Sequence, residues 1–230
     1  GNMASLQSVI PANTAALVLE PVQGEGGINV ADKEYLKAVR ELCDAHGILL
    51  MFDEVQCGIA RTGSLYAYQQ LGVVPDVLAT AKGLGGGFPI GACLATEAVA
   101  AALVAGSHGR TFGGNPLATA VGNAVVDTLN DEDFLNNVKE LGDYFKRELE
   151  KLIERYPQLL REVRGLGLML GLYCIADAGD LISRLQQRKL LVVKAGGNSI
   201  RLLPALNVSK QEIASAVEFI AQASSDIQQN

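Results

Sequence analysis

The sequence predicts an α/β protein, with a largely parallel sheet in its first part and a smaller α/β domain after it. Three observations carry that expectation. Short continuous apolar runs, Ala15–Leu19 (AALVL) and Ile48–Phe52 (ILLMF), alternate with segments of helical periodicity. That is the pattern of parallel strands buried on both faces and joined by helices. A long amphipathic repeat begins near Asn130 and changes the texture of the chain. Finally, 49% of the 230 residues are hydrophobic and only 19% are charged, enough apolar material for a sizeable core and unlike a disordered chain.

Each element follows from a local signal. Ala15–Leu19 reads as a buried strand. Asp32 is an N-cap for a helix that carries Leu36, Val39, Leu42 and Cys43 on one face and stops at Gly47, a residue type suited to the left-handed turn that ends helices. Ile48–Phe52 is a second buried strand, and Val77–Ala79 and Ala92–Ala95 are shorter candidates. Asn115 and Pro116 open a helix that runs to about Leu129, as N-cap and first helical residue. Leu135, Val138, Leu141, Phe145, Leu149 and Leu152 then recur at helical spacing until Pro157. Leu168–Ile175, Leu190–Val193 and Ile200–Leu203 read as strands, and Ser209 with Glu212 forms a capping box for a last helix. The expected division is a first domain over 1–129 and a second, small α/β domain over 130–230.

Several function classes are excluded or disfavoured. The net charge is −6 and no basic run exceeds two residues, so the footprint of a nucleic-acid binder is missing. Charges or glycines interrupt every apolar run before it reaches the length of a membrane span, and the first residues lack a signal-peptide profile. Cys43, Cys57, Cys93 and Cys174 are widely separated with no CxxC pair, which reads as four reduced thiols in a cytoplasmic protein and offers no zinc spacing. His46 and His108 are the sole histidines and leave few candidates for a metal site or a Ser-His-Asp triad. His46 fits the last turn of a helix, where a cation is favoured, and His108 reads as structural.

Two residues stand out as chemistry. Asp53 follows directly on the strand ILLMF, and in open α/β sheets ligands sit beyond the carboxyl ends of strands. Taken alone it reads as an N-cap or a surface turn. Glu54 beside it is expected to point away or to make a structural ion pair. Lys82 lies in Ala81-Lys82-Gly83-Leu84-Gly85-Gly86-Gly87. This is not a P-loop, whose glycines precede the lysine, and it lacks the GxGxxG order. A lone lysine before glycines is weak. An amine and an acid at adjacent strand ends are a stronger pair, because pyridoxal phosphate (PLP) needs a lysine for its aldehyde and an acid that keeps its pyridine nitrogen protonated.

Longer strings then carry a resemblance. They are Glu20-Pro21-Val22-Gln23-Gly24-Glu25-Gly26-Gly27, Phe52-Asp53-Glu54-Val55-Gln56-Cys57-Gly58, Arg61-Thr62-Gly63, Pro75-Asp76, Ala81-Lys82-Gly83 and Thr111-Phe112-Gly113-Gly114-Asn115-Pro116. In this order they resemble the class III aminotransferases of the fold-type I PLP enzymes, over nearly the whole chain. The run GLGGGFPIGACLA and the opening EPVQGEGG are most similar to the acetylornithine aminotransferase group. The resemblance implies the C-terminal part of that fold's large, mostly parallel-sheet domain plus its small α/β domain.

The resemblance also implies roles. Lys82 would hold PLP covalently and shuttle a proton at the substrate Cα. Asp53 would bind the pyridine nitrogen, Val55 would pack on a ring face, and Gln56 would hydrogen-bond the phenolic oxygen. Thr111 would reach the cofactor phosphate of a neighbouring subunit in a homodimer. Arg201 would grip the substrate α-carboxylate with its planar fork, Glu25 would be the gate that pairs with it, and Glu20 would line the site. Without the family match, Arg201 reads as an edge-strand charge, and Glu25 and Thr111 read equally as loop residues. The implied reaction is transamination of N-acetylornithine with 2-oxoglutarate in arginine biosynthesis. Ornithine, succinyldiaminopimelate and 4-aminobutyrate stay open as amino donors. A non-catalytic dimerisation or binding module is the alternative of another class.

The chain departs from the family in two ways. Family members are longer, and the part expected before this sequence would carry a glycine-rich phosphate loop and the aromatic residue that stacks on the cofactor ring. The chain alone is therefore expected to be catalytically incompetent and to expose apolar surface. Arg110 stands where the family usually has a small residue before the threonine.

Overall fold

The computed structural model describes residues 1–229 and divides into two units. The first comprises Gly1–Pro21, Ala31–Ile59 and Ser64–Asp131; the second comprises Val22–Val30, Ala60–Gly63 and the chain from Glu132 onward.

The elements of the first unit run α1 (Met3–Val9), β1 (Ala16–Leu19), α2 (Lys33–His46), β2 (Leu49–Asp53), α3 (Ala67–Leu71), β3 (Val77–Thr80), β4 (Ala92–Ala95), α4 (Glu97–Ala100) and α5 (Pro116–Leu129). A 3-10 turn over Lys82–Gly85 follows β3. The sheet order is β1-β2-β3-β4. β1, β2 and β3 are parallel, and β4 closes the sheet antiparallel to β3. Helix α2 starts where the Asp32 carboxylate accepts the Tyr35 N–H at 2.9 Å, and it ends at Gly47 in the left-handed region. Its buried face is Leu36, Val39 and Cys43. Leu50 and Phe52 of β2 are buried, while Leu49, Met51 and Asp53 on the other face are half-buried. Asp76 ties β3 to its neighbour by accepting the Leu50 N–H and the Arg40 guanidinium, each at 2.8 Å. Burial opposes ionisation of Asp76, but those donors hold its carboxyl below the usual range.

The rest of this unit is open. All four residues of β4 are exposed, and from Gly91 to Gly114 no residue is buried. Val18, Leu94, Leu103, Val104 and Phe112 present apolar side chains to solvent.

The second unit runs α6 (Glu132–Arg155), β5 (Leu160–Leu166), β6 (Met169–Cys174), α7 (Ala178–Gln187), β7 (Val193–Ala195), β8 (Ser199–Leu202) and α8 (Lys210–Gln228). Its antiparallel sheet has the order β5-β6-β8-β7. Helix α6 buries Val138, Leu141, Phe145, Leu149 and Leu152 on one stripe. These join Leu170, Leu172, Cys174, Ile200, Leu202 and residues of α7 and α8 in one core. Burial together with Asp177 pushes the Cys174 thiol up to about 11, which leaves it unreactive. Every residue of β6 is buried, because the segment Val22–Val30 covers its other face: a Cβ on Gly171 would lie 2.9 Å from Ile28 Cβ. Among the described residues no helix is long and apolar enough to cross a membrane.

The strand expected at Leu190–Val193 is displaced to Val193–Ala195. The chain reverses after α7 through Lys189 at φ +63. Leu190 then packs on the core and Val192 is buried, before ladder pairing starts at Val193 opposite Arg201. Five short or polar elements, α1, α3, α4, α7 and β5, lie outside the elements that the sequence predicts.

Candidate active-site residues

The three parallel strands of the first unit end at one edge. Leu19 is in register with Phe52 and Asp53 with Ala79, and the Glu54 N–H extends the ladder to the Ala79 carbonyl at 2.9 Å. Glu20, Asp53 and Lys82 therefore leave the sheet from the carboxyl ends of neighbouring strands, Lys82 three residues beyond Ala79. The Asp53 carboxylate accepts the Val55 N–H at 2.9 Å and is half-buried. Val55 and Gln56 follow in the turn and are half-buried too.

Lys82 sits at φ +46, a conformation that costs an L-residue on the order of 1–2 kcal/mol. Such residues persist where their surroundings dictate them, often at functional positions. Here the chain after Lys82 lies against Ile59: a Cβ on Gly83 would stand 3.2 Å from Ile59 Cβ. The Lys82 side chain is exposed and makes no hydrogen bond or ion pair among the described residues. An uncommitted amine and a half-buried acid at adjacent strand ends fit a group that needs a lysine for an aldehyde and a carboxylate for a ring nitrogen. Among the described residues no cluster of His, Cys, Asp and Glu could hold a metal ion.

Thr111 belongs to a different stretch of the chain. It lies with Arg110 and Phe112 in the exposed stretch, lining a shallow cleft of about 420 Å³ with Pro89, Ile90 and Gly91. No hydrogen bond or ion pair joins it to Asp53 or Lys82 among the described residues.

Glu54 points away from Asp53, as expected, but into backbone donors rather than an ion pair. It makes no ion pair among the described residues, and it is fully buried. Its two oxygens accept the Ala67 N–H at 2.5 Å and the Tyr68 N–H at 2.8 Å, and the Cys57 thiol lies at 3.7 Å. It thus caps the start of α3 from across the unit. Burial pushes its carboxyl up, and the two backbone N–H groups only partly offset that. A raised folded value means a contribution to stability that is full at low pH. It is lost as pH climbs from the ordinary carboxylate range through the raised value. Glu54→Gln removes that titration but turns an amide donor toward one N–H, at a cost of about 1–3 kcal/mol. Melting curves from pH 4 to 8 should show a less stable variant whose deficit shrinks as pH rises. A constant deficit would refute the titration.

In the second unit, Arg201 lies in β8 and is 7% exposed, and its Nη1 stands 2.7 Å from Glu25 Oε1. The pair anticipated between these residues is thus formed. Arg61, part of the Arg-Thr-Gly string but given no role, donates from Nη1 to the Pro204 carbonyl at 2.5 Å and to Leu168 O at 3.3 Å. It steadies the segment just after Arg201, and burial lowers its pKa. Tyr173, Arg164 and Asn29 form a further cluster that the sequence reading missed. The available signal was a tyrosine in the apolar strand MLGLYC, since a buried phenol needs a partner.

Comparison with known proteins falls on the same ground. The family model described as aminotransferase class-III matches residues 2–224. The acetylornithine aminotransferase of Agrobacterium fabrum is 48% identical over 227 residues, covering 99% of this chain and 57% of that protein. The solved acetylornithine aminotransferase of Elizabethkingia anophelis superposes with a TM-score of 0.90 at 39% identity, over 98% of this chain and 61% of that one. An ornithine aminotransferase structure from Toxoplasma gondii, described as having partial occupancy of PLP at its active site, gives a TM-score of 0.91 at 34% identity, over 99% and 55%. The chain thus spans a little over half the length of the curated relatives it matches.

Proposed function

The chain belongs to the class-III aminotransferase family, and from that premise we propose that the full-length enzyme carrying it transfers the amino group of N-acetylornithine to 2-oxoglutarate, with PLP as cofactor, in arginine biosynthesis. What supports this reading most is the placement of Asp53 and Lys82 at the carboxyl ends of paired parallel strands. The names of relatives at 45–50% identity add the donor.

Bound PLP supplies an electron-accepting pyridinium ring that takes up the electrons freed when a proton leaves the substrate Cα. Asp53 holds the proton on the ring nitrogen. Lys82 would hold the cofactor through its amine and would be the group that carries the proton at the substrate Cα. Val55 backs the ring, Gln56 donates to the phenolic oxygen, and Glu20 lines the site. Arg201 binds the α-carboxylate of the donor through its planar fork. Glu25 occupies Arg201 when no carboxylate is present, acting as a gate. Thr111 reaches the phosphate in the neighbouring subunit of a cytoplasmic homodimer. In this reading the first unit serves the cofactor; the small domain is not the contiguous 130–230 expected from the sequence but also takes in Val22–Val30 and Ala60–Gly63.

Ornithine is the second donor to consider, because ornithine aminotransferases are among the structural neighbours. Glutamate formation from 2-oxoglutarate by the full-length enzyme, with N-acetylornithine or ornithine at equal concentration, decides between them. On the 230-residue chain, PLP followed by borohydride should tag Lys82, as read by intact mass and peptide mapping. A tag on other lysines alone would remove the assignment.

A further inference from the structure

We infer that Tyr173, Arg164 and Asn29 form a clamp that fixes the backbone under Glu25 and so pre-organises the closed pair between Glu25 and Arg201. The inference rests on the reading of Glu25 as a gate, and it concerns positioning residues.

The geometry lies wholly within the second unit. The Tyr173 hydroxyl donates to the Gly27 carbonyl in a close contact and accepts from Arg164 Nη1 at 3.1 Å. Arg164 also donates to Asn29 Oδ1 at 2.5 Å, and its guanidinium lies 4.1 Å from the Tyr173 ring centroid, within cation–π range. Asn29 Nδ2 in turn donates to the Gly26 carbonyl and to Gln23 Oε1, both at 2.9 Å. On the other side of the loop, the Gly196 N–H donates to the Glu25 carbonyl at 2.9 Å. The seat is too tight for a side chain: a Cβ on Gly27, at φ +108, would stand 2.5 Å from Tyr173 Oη and 2.6 Å from Gly196 O.

Glu25 thus has its main chain held on both sides while its side chain is 77% exposed, against 7% for Arg201. Its carboxylate can turn into water at little desolvation cost, whereas Arg201 stays buried. A fixed backbone pre-organises the closed pair, which raises the concentration of carboxylate needed to displace it. A ligand that must wait for an open minority state binds more weakly in proportion to that minority. Loosening the clamp should therefore ease access to Arg201.

The test is a set of single and double variants in the full-length holoenzyme, reading KM and kcat for 2-oxoglutarate. Tyr173→Phe should lower KM roughly three- to tenfold, the size of one lost hydrogen bond, with the effect in KM rather than kcat. Asn29→Ala, outside the buried strand, should reproduce it if Tyr173→Phe folds poorly. In a Glu25→Gln background, neither substitution should move KM further. Equal shifts in both backgrounds, or none in the first, would overturn the clamp while leaving the gate intact. No change of KM in Glu25→Gln itself would remove the gate reading, and the clamp with it.

Discussion

Replacing Lys82 with glycine should abolish turnover in the full-length enzyme without costing stability. A positioned acid–base group contributes on the order of 10²–10⁴ in rate, and loss of covalent cofactor retention adds to that. The backbone points the other way. Lys82 sits at φ +46, which costs an L-residue about 1–2 kcal/mol, while glycine enters that region freely at an entropic cost of about 0.5–1 kcal/mol. The side chain is exposed and uncommitted, so little packing is lost. We expect a melting temperature equal to or above that of the parent, activity below one hundredth, and no borohydride-fixed PLP at this site. Lost activity with lost stability would mean that Lys82 is part of the scaffold. Retained activity would place the amine elsewhere.

Arg201→Lys should raise KM for donors bearing an α-carboxylate by roughly 10- to 100-fold. Hydrogen bonds to charged groups contribute about 1.5–3 kcal/mol, and each 1.4 kcal/mol is tenfold. A lysine keeps the charge but cannot offer two parallel N–H donors. The buried setting of Arg201 in β8 makes the substitution sharper, because an ammonium there must find partners where a fork was seated. Glu25 sits at 2.7 Å and can pair with either cation, so the fold should tolerate the change. Simple amines without a carboxylate are the control, and their KM should not move. If both classes of donor respond equally, Arg201 acts on the fold and not on the carboxylate.

Much of this was legible in the sequence because the signals are local. Asp32, Asn115 and Ser209 cap helices where their spacing to the next apolar residues requires it. ILLMF is a strand because nothing in it favours water. Asp53 and Lys82 were found because each ends or follows such a run. What escaped notice depends on distant partners. Glu54 is satisfied by N–H groups 13 and 14 residues away, which no periodicity reveals. The Arg164–Asn29 contact spans 135 residues. Strand β5 contains Arg161, Glu162 and Arg164 and reads as polar, because an edge strand need bury only part of itself. The shift of β7 came from a positive φ at Lys189, which its residue type does not announce.

The bare run from Gly91 to Gly114 has a consequence for how the chain endures. Local openings there need break almost no apolar contacts, whereas residues of α6 and β6 are released only by dismantling a core. A protease added in trace amounts should nick this run first, before any site within α6 or β6. Deuterium should likewise enter the amides of β4 in seconds to minutes and those of β6 last.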